Sequence, residues 1–209
     1  MMNSPTDVRA RHWDATYRRR EIDQLSWFQA TPAMSLNLID ALNIALDIGV
    51  IDIGGGASTF VDHLLERGFT DISVLDVSEA SLAAGKQRIG HEISVHWLRE
   101  DLLDWHPIRR FGLWHDRAVF HFLVEASERD AYIATLRSAI DRGGSVILGT
   151  FAPDGPDHCS GLPVARYSPD DLVALLGSGF EVVSTDREQH ITPSGVQQSF
   201  TWIAARANN

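Results

Sequence analysis

The stretch Val50-Ile51-Asp52-Ile53-Gly54-Gly55-Gly56-Ala57-Ser58-Thr59 constrains the fold more than any other part of the chain. A β-branched apolar run carrying Asp52 meets three glycines, and Ser58 and Thr59 then open an amphipathic segment. This reads as strand, tight turn and helix. Glycine lets the backbone take positive φ and lets a ligand touch the main chain. The free N–H groups at the start of the helix favour an anionic or hydrogen-bond-accepting group. The stretch has the form of a nucleotide-type cofactor loop, and the rest of the chain has to say which cofactor.

At 209 residues the chain suits one α/β domain, and 44% apolar with 22% charged residues marks it as globular. The formal charge of −10 makes it a poor grip for phosphate backbones, so no nucleic-acid partner is expected. Cys159 is the only cysteine, which rules out an intrachain disulfide. Asp157-His158-Cys159 are three potential ligands in a row that do not converge easily on one ion, and no metal site is expected. Met1 to Arg20 is polar and lacks the apolar core of a signal peptide. The most apolar stretch, Ile39 to Ile53, carries Asp40, Asp47 and Asp52, so no membrane span is expected. These features fit a cytoplasmic enzyme.

Periodicity predicts a helix over Val8–Arg20, an aromatic loop Leu25-Ser26-Trp27-Phe28-Gln29, and a second helix capped by Thr31 with Pro32 at its first position. Strands are expected at Ile48–Ile53, Ile72–Leu75, Ile93–Leu98, Phe111–His115 and Ser145–Gly149. Helices fill the intervals, with Ser78 and the Ser127–Asp130 spacing as caps and Gly143-Gly144 as a helix end. Strands alternating with helices predict a parallel sheet covered on both faces. After a long Thr150–Tyr167 loop, Ser168-Pro169-Asp170-Asp171 starts another helix. The last strands, Phe180–Ser184 and Gln198–Ala205, have only about a dozen polar residues between them, which predicts antiparallel pairing.

Dinucleotide dehydrogenases want G-x-G-x-x-G/A, whereas Thr59 stands at the third position here. Asp76 ends strand two, 24 residues after Asp52, where a ribose-binding carboxylate belongs for either kind of cofactor. The single domain and the antiparallel ending discriminate between the two. Together with Asp52-Ile53-Gly54-Gly55-Gly56, Asp76, Glu100-Asp101-Leu102 and His115-Asp116-Arg117, they give a chain that resembles the class I S-adenosylmethionine (SAM)-dependent methyltransferases from Trp13 to Arg206. It is similar to small bacterial members of unassigned substrate, sharing Trp-Asp near the start, a Ser-Trp-aromatic-Gln loop and the Cys159–Val164 run. More loosely it looks like the eukaryotic elongation-factor lysine methyltransferases.

The resemblance implies a Rossmann-like, doubly wound seven-stranded α/β sheet in the order 3-2-1-4-5-7-6, with strand seven antiparallel and the ligand at the carboxyl ends of the strands. It implies SAM as the cofactor. The loop Gly54, Gly55, Gly56 with Asp52 and Ser58 meets the methionine portion, Asp76 beside Val77 binds ribose, and Asp101 and Leu102 meet adenine. Residues 1–44 form a helical lid over the 45–209 core, in which Trp13, Tyr17 and Trp27 suit a sulfonium through cation–π attraction. Arg18 is a further partner considered for the SAM carboxylate.

Asp116 at the end of strand four is expected at the ligand site, and His121 is the candidate general base, so these two are the catalytic candidates. The acceptor is expected to be a small molecule. The alternatives are a protein acceptor of the lysine type and a SAM-binding regulatory protein without turnover. Arg117 and Arg166 point to a small anionic acceptor.

Overall fold

A computed structural model describes residues 4–90 and 95–208. In chain order the strands are β1 (Val50–Ile53), β2 (Ile72–Asp76), β3 (Val95–Arg99), β4 (Phe111–Arg117), β5 (Ile140–Phe151), β6 (His158–Cys159), β7 (Leu162–Pro163), β8 (Phe180–Ile191) and β9 (Gln197–Ala207). The helices are α1 (Pro5–Arg19), α2 (Ala33–Leu42), α3 (Phe60–Glu66), α4 (Glu79–Ile89), α5 (Ala126–Ala139) and α6 (Pro169–Leu176).

Every residue of β1 and β2 is buried, as parallel strands covered on both faces require. β1 pairs in parallel with β2 on one side and β4 on the other. β3 extends the sheet beyond β2, and β5 extends it beyond β4. β9 and then β8 close it in antiparallel pairing, giving the order β3-β2-β1-β4-β5-β9-β8. With the small β6–β7 hairpin set aside, this is the expected seven-stranded topology. Alternation along β1 splits the core in two. Ile51 and Ile53 pack with Trp114, Tyr132, Leu136 and Leu172 on the α5–α6 face, and Val50 packs with Leu36, Phe60, Leu64 and Leu82 on the α2–α3–α4 face.

Several element boundaries differ from those expected. Pro32, not Thr31, occupies the N-cap position of α2, without a side-chain cap bond, and the helix starts at Ala33. α5 uses a Glu125/Glu128 capping box two residues before the Ser127–Asp130 pair of the same spacing. Gly143-Gly144 does not end that helix. α5 stops at Ala139, and the glycines lie inside β5, Gly143 at φ 70°. The polar stretch between the last two strands is largely strand, with β8 running to Ile191. It lies on the sheet edge with one face exposed, so its side chains alternate toward water and read as loop. The expected start of strand three at Ile93 lies outside the described residues.

Candidate active site

At the carboxyl ends of β1, β2 and β4 a cleft opens with about 870 Å³ of empty space including its open mouth. Its floor is Gly54, Asp76, Val77, Asp101 and Leu102. Gly54 takes φ +67°, and a Cβ there would strike Val119 across the cleft. The turn therefore needs glycine both for its backbone and for its space.

Asp76 is 6% exposed and holds the loop in place. One carboxylate oxygen accepts the Gly56 N–H at 3.2 Å and the other accepts the Ser78 N–H at 2.8 Å. Burial pushes its pKa up to about 6, against the pull of those hydrogen bonds. Asp101 accepts a hydrogen bond from Leu103 N at 3.1 Å and from Arg9 Nε of α1 at 2.7 Å. Gly56 lines neither this cleft nor its neighbour. A Cβ on it would meet Ser81 and Asp76, so Gly56 shapes the loop from behind. The tight helix–loop packing that a third motif glycine would allow comes from Gly85 of α4, where a Cβ would run into the Gly56 carbonyl oxygen and the Trp97 ring.

Trp13, Tyr17 and Trp27 form the opposite wall with Phe122. Trp13 meets Trp27 and Phe122 edge to face at 5.9 and 5.0 Å, and Tyr17 meets Trp27 at 5.9 Å. No residue of α1 is buried in the core. Polar contacts dock the helix instead. Besides the Arg9–Asp101 pair, Asp14 accepts hydrogen bonds from Ser78 Oγ at 2.7 Å and Ala80 N at 3.0 Å, so α1 caps the start of α4. Arg18 is exposed and pairs with Asp14 at 3.4 Å, away from the cleft.

A second hollow adjoins the first on the far side of Gly54, lined by Asp52, Gly55, Ser58, Ser35 and His115. His115 Nδ1 lies 2.7 Å from Asp52 Oδ1, and its Nε2 lies 2.8 Å from Ser35 Oγ. The second oxygen of Asp52 is buried without a partner among the described residues, and a Cβ on Gly55 would fall on it.

The two catalytic candidates are not on the cleft wall, which corrects the expectation for both. Asp116 is fully buried and accepts the Val119 N–H at 2.9 Å and the Tyr132 hydroxyl at 2.8 Å. Its carboxylate fixes the turn after β4, and burial raises its pKa to about 6. His121 is fully buried, stacked on Phe151 at 4.4 Å and edge-on to Phe122 at 4.5 Å. Burial, followed by the charge of Arg117, lowers its pKa to about 3. The single 3₁₀ turn Phe120–Phe122 presents Phe122 to the cleft and leaves His121 in the core. Arg166 is exposed, with its nearest partner the Gly155 carbonyl at 3.3 Å.

Sequence reasoning did not single out Arg9, Ser35 or Gly85, and it quoted Asp14 only within the Trp-Asp pair, without a role. A charge on a surface helix and a small residue inside one carry no local mark of a partner 20 or more positions away. His115 stood in a quoted motif but was given no role.

Residues 51–146 match the model of a methyltransferase domain, and the fold is that of the SAM-dependent methyltransferases. Among individual proteins, the chain is 22% identical over 150 residues to malonyl-[acyl-carrier protein] O-methyltransferase 1 of Ilyobacter polytropus, covering 66% of this chain and 55% of that one. It is 21% identical over 188 residues to EEF1A lysine methyltransferase 2 of Danio rerio, covering 82% and 75%. It shares a fold at TM-score 0.74 and 18% identity with the 1,6-didemethyltoxoflavin-N1-methyltransferase of Burkholderia thailandensis, solved with bound 1,6-didemethyltoxoflavin and S-adenosylhomocysteine, covering 100% and 92%. The chain thus spans little over half the length of the malonyl-[acyl-carrier protein] methyltransferase it matches. Among the described residues no helix is long and apolar enough to cross a membrane.

Proposed function

We propose that the protein transfers a methyl group from SAM to a small-molecule acceptor. The observation that carries this reading is one cleft that brings the positive-φ Gly54, the buried carboxylate of Asp76 and the Asp101–Leu102 pair under an aromatic wall. These residues fit the cofactor. Asp76 keeps lone pairs beyond its two backbone bonds for ribose hydroxyls, and Asp101 with apolar Leu102 suits an adenine edge and face. Gly54, Gly55 and Ser58 line the adjoining hollow, where the methionine portion would lie against the turn. Trp13, Tyr17 and Trp27 supply ring faces for a cation.

SAM supplies a methyl group already activated by a positively charged sulfur. What remains for the chain is to align the acceptor and keep water out. Asp116 and His121, turned away from the cleft, take no proton from the acceptor in this reading. Asp116 is a positioning residue that holds the Arg117–Val119 turn. An acceptor that arrives as a free amine, thiolate or carboxylate needs no base there.

The likeness to a lysine methyltransferase raises a protein acceptor. The covering of the cleft by α1 and by Cys159 of the β6–β7 hairpin favours a small one. Calorimetric titration with S-adenosylhomocysteine, followed by mass spectrometry of SAM turnover on a panel of amines, thiols, carboxylates and histone-free lysine peptides, tests the reading. Binding of NADH without S-adenosylhomocysteine would overturn it. Cofactor binding without turnover on any acceptor would favour a regulatory protein.

A further inference from the structure

Arg117 follows Asp116 at the end of β4 and lines both the cleft and the adjoining hollow. Its Nη1 donates to the Trp27 carbonyl at 2.8 Å, which anchors the guanidinium beneath the aromatic wall. Its Nε and Nη2 are shut off from solvent and have no partner among the described residues. The guanidinium carbon stands 5.0 Å over the Phe200 ring, a weak substitute for a counter-ion. The nearby carboxylate is committed elsewhere, because Glu188 accepts from Gln29 Nε2 at 2.7 Å and from Trp202 Nε1 at 2.9 Å. Among the described residues no Asp or Glu pairs with Arg117. The other titratable groups around it, His121, His190 and Cys159, are buried and neutral. Burial lowers the pKa of the guanidinium to about 10, which leaves it charged at neutral pH.

A cation fixed in place with two inward donors unfilled is built to meet an anion from the cleft. In the sheet order Arg117 stands across β1 from the two cleft acids. Asp76 and Asp101 stand on or beyond β2, on the β3 side of β1. Arg117 is on β4, with Phe200 of β9 and Glu188 and His190 of β8 on the opposite side.

We propose that Arg117 receives an oxyanion of the methyl acceptor, a carboxylate carried next to an apolar body that rests on Trp13, Trp27 and Phe122. The proposal rests on the methyltransferase reading and narrows its acceptor class.

Phenylacetate, with the uncharged phenylacetamide as control, is titrated into the wild-type protein and Arg117→Met, each with and without saturating S-adenosylhomocysteine. The expected result is phenylacetate binding about tenfold or more tighter than phenylacetamide in the wild type, with that preference lost in Arg117→Met. Affinity for S-adenosylhomocysteine should stay within about twofold, which also shows that the variant is folded. Equal binding of acid and amide, or a preference that survives in Arg117→Met, overturns the proposal. If Arg117→Met weakens S-adenosylhomocysteine about tenfold or more but leaves 5′-methylthioadenosine unchanged, the guanidinium serves the cofactor carboxylate and the proposal falls. If Arg117→Met does not fold, Arg117→Gln removes the charge while keeping a hydrogen-bonding side chain, and an undiminished preference for the acid there also overturns the proposal. Failure of the wild type to bind S-adenosylhomocysteine would instead count against the methyltransferase reading, and the acid–amide comparison without it still tests Arg117.

Discussion

Asp52 and His115, 63 residues apart in sequence, face each other across adjacent strands β1 and β4 with Nδ1 2.7 Å from Oδ1, both almost completely buried. The carboxylate can only accept, so the imidazole donates from Nδ1, and its Nε2 shares a hydrogen bond with the Ser35 hydroxyl of α2. The chain Asp52–His115–Ser35 thus ties the cofactor strand to α2. His115→Phe keeps the stacking on Phe60, now at 4.0 Å, but leaves Asp52 with no partner on either oxygen. The expected loss is about 1–3 kcal/mol, and Ser35→Ala should lose about 1 kcal/mol. Urea denaturation of the two variants measures both. A His115→Phe protein as stable as the wild type would mean that the pair contributes nothing.

His121 makes the fold sensitive to acid. Its pKa in the folded protein, about 3, lies below the ordinary 6.5, so the unfolded chain takes up a proton that the folded one refuses. Its contribution to stability is complete above pH 6.5 and is lost as pH falls below it. His121→Phe, which keeps a ring between Phe151 and Phe122, removes that loss. The variant should gain on the wild type by about 1.4 kcal/mol for each unit between pH 6 and pH 4. Asp76 and Asp116, raised from 3.8 to about 6, act with the opposite sign across this same range, but they are present in both proteins and cancel in the difference. Denaturation of both proteins as a function of pH tests this, and parallel curves would contradict it.

Gly85 lies on a helix, far in sequence from the glycine loop, yet any side chain there displaces the Gly56 backbone. Gly85→Ala should lower affinity for S-adenosylhomocysteine about tenfold or more, while in a free helix the same change is favourable by about 1 kcal/mol. Asp76→Ala should cost roughly 1.5–3 kcal/mol of binding through the lost ribose hydrogen bonds and a loosened loop. Calorimetry reads both, and unchanged affinity in either variant would remove that residue from the site.

Because α1 buries nothing in the core and is docked by Arg9, Asp14 and aromatic edges, deletion of residues before Glu21 should leave the sheet folded and weaken cofactor binding. Circular dichroism and calorimetry on the truncated chain check the two halves of this statement. Loss of the folded state would show that α1 is a structural part of the domain rather than a cover.

The sheet topology was legible because its signals are local and repeat along the chain. Apolar strands, glycine punctuation and the cap residues Ser78 and Ser168 each act within a few positions. The strand–glycine–helix unit at Val50–Thr59 and the acid at Asp76 carried enough information to expect a cleft at the carboxyl ends of the strands, and one opens there. The edge strand β8 was underread because a half-exposed strand alternates polar side chains in the manner of a loop. Which polar residues face the cleft depended on side-chain direction and long-range packing, which no local pattern encodes. Asp116 and His121 flank Arg117 closely in sequence, yet Tyr132 and the Val119 N–H hold the first inward, and Phe151 stacks on the second. Only in the folded chain do Trp27, Phe200 and Glu188, from three separate segments, close around Arg117 and leave its two inward donors without a partner among the described residues.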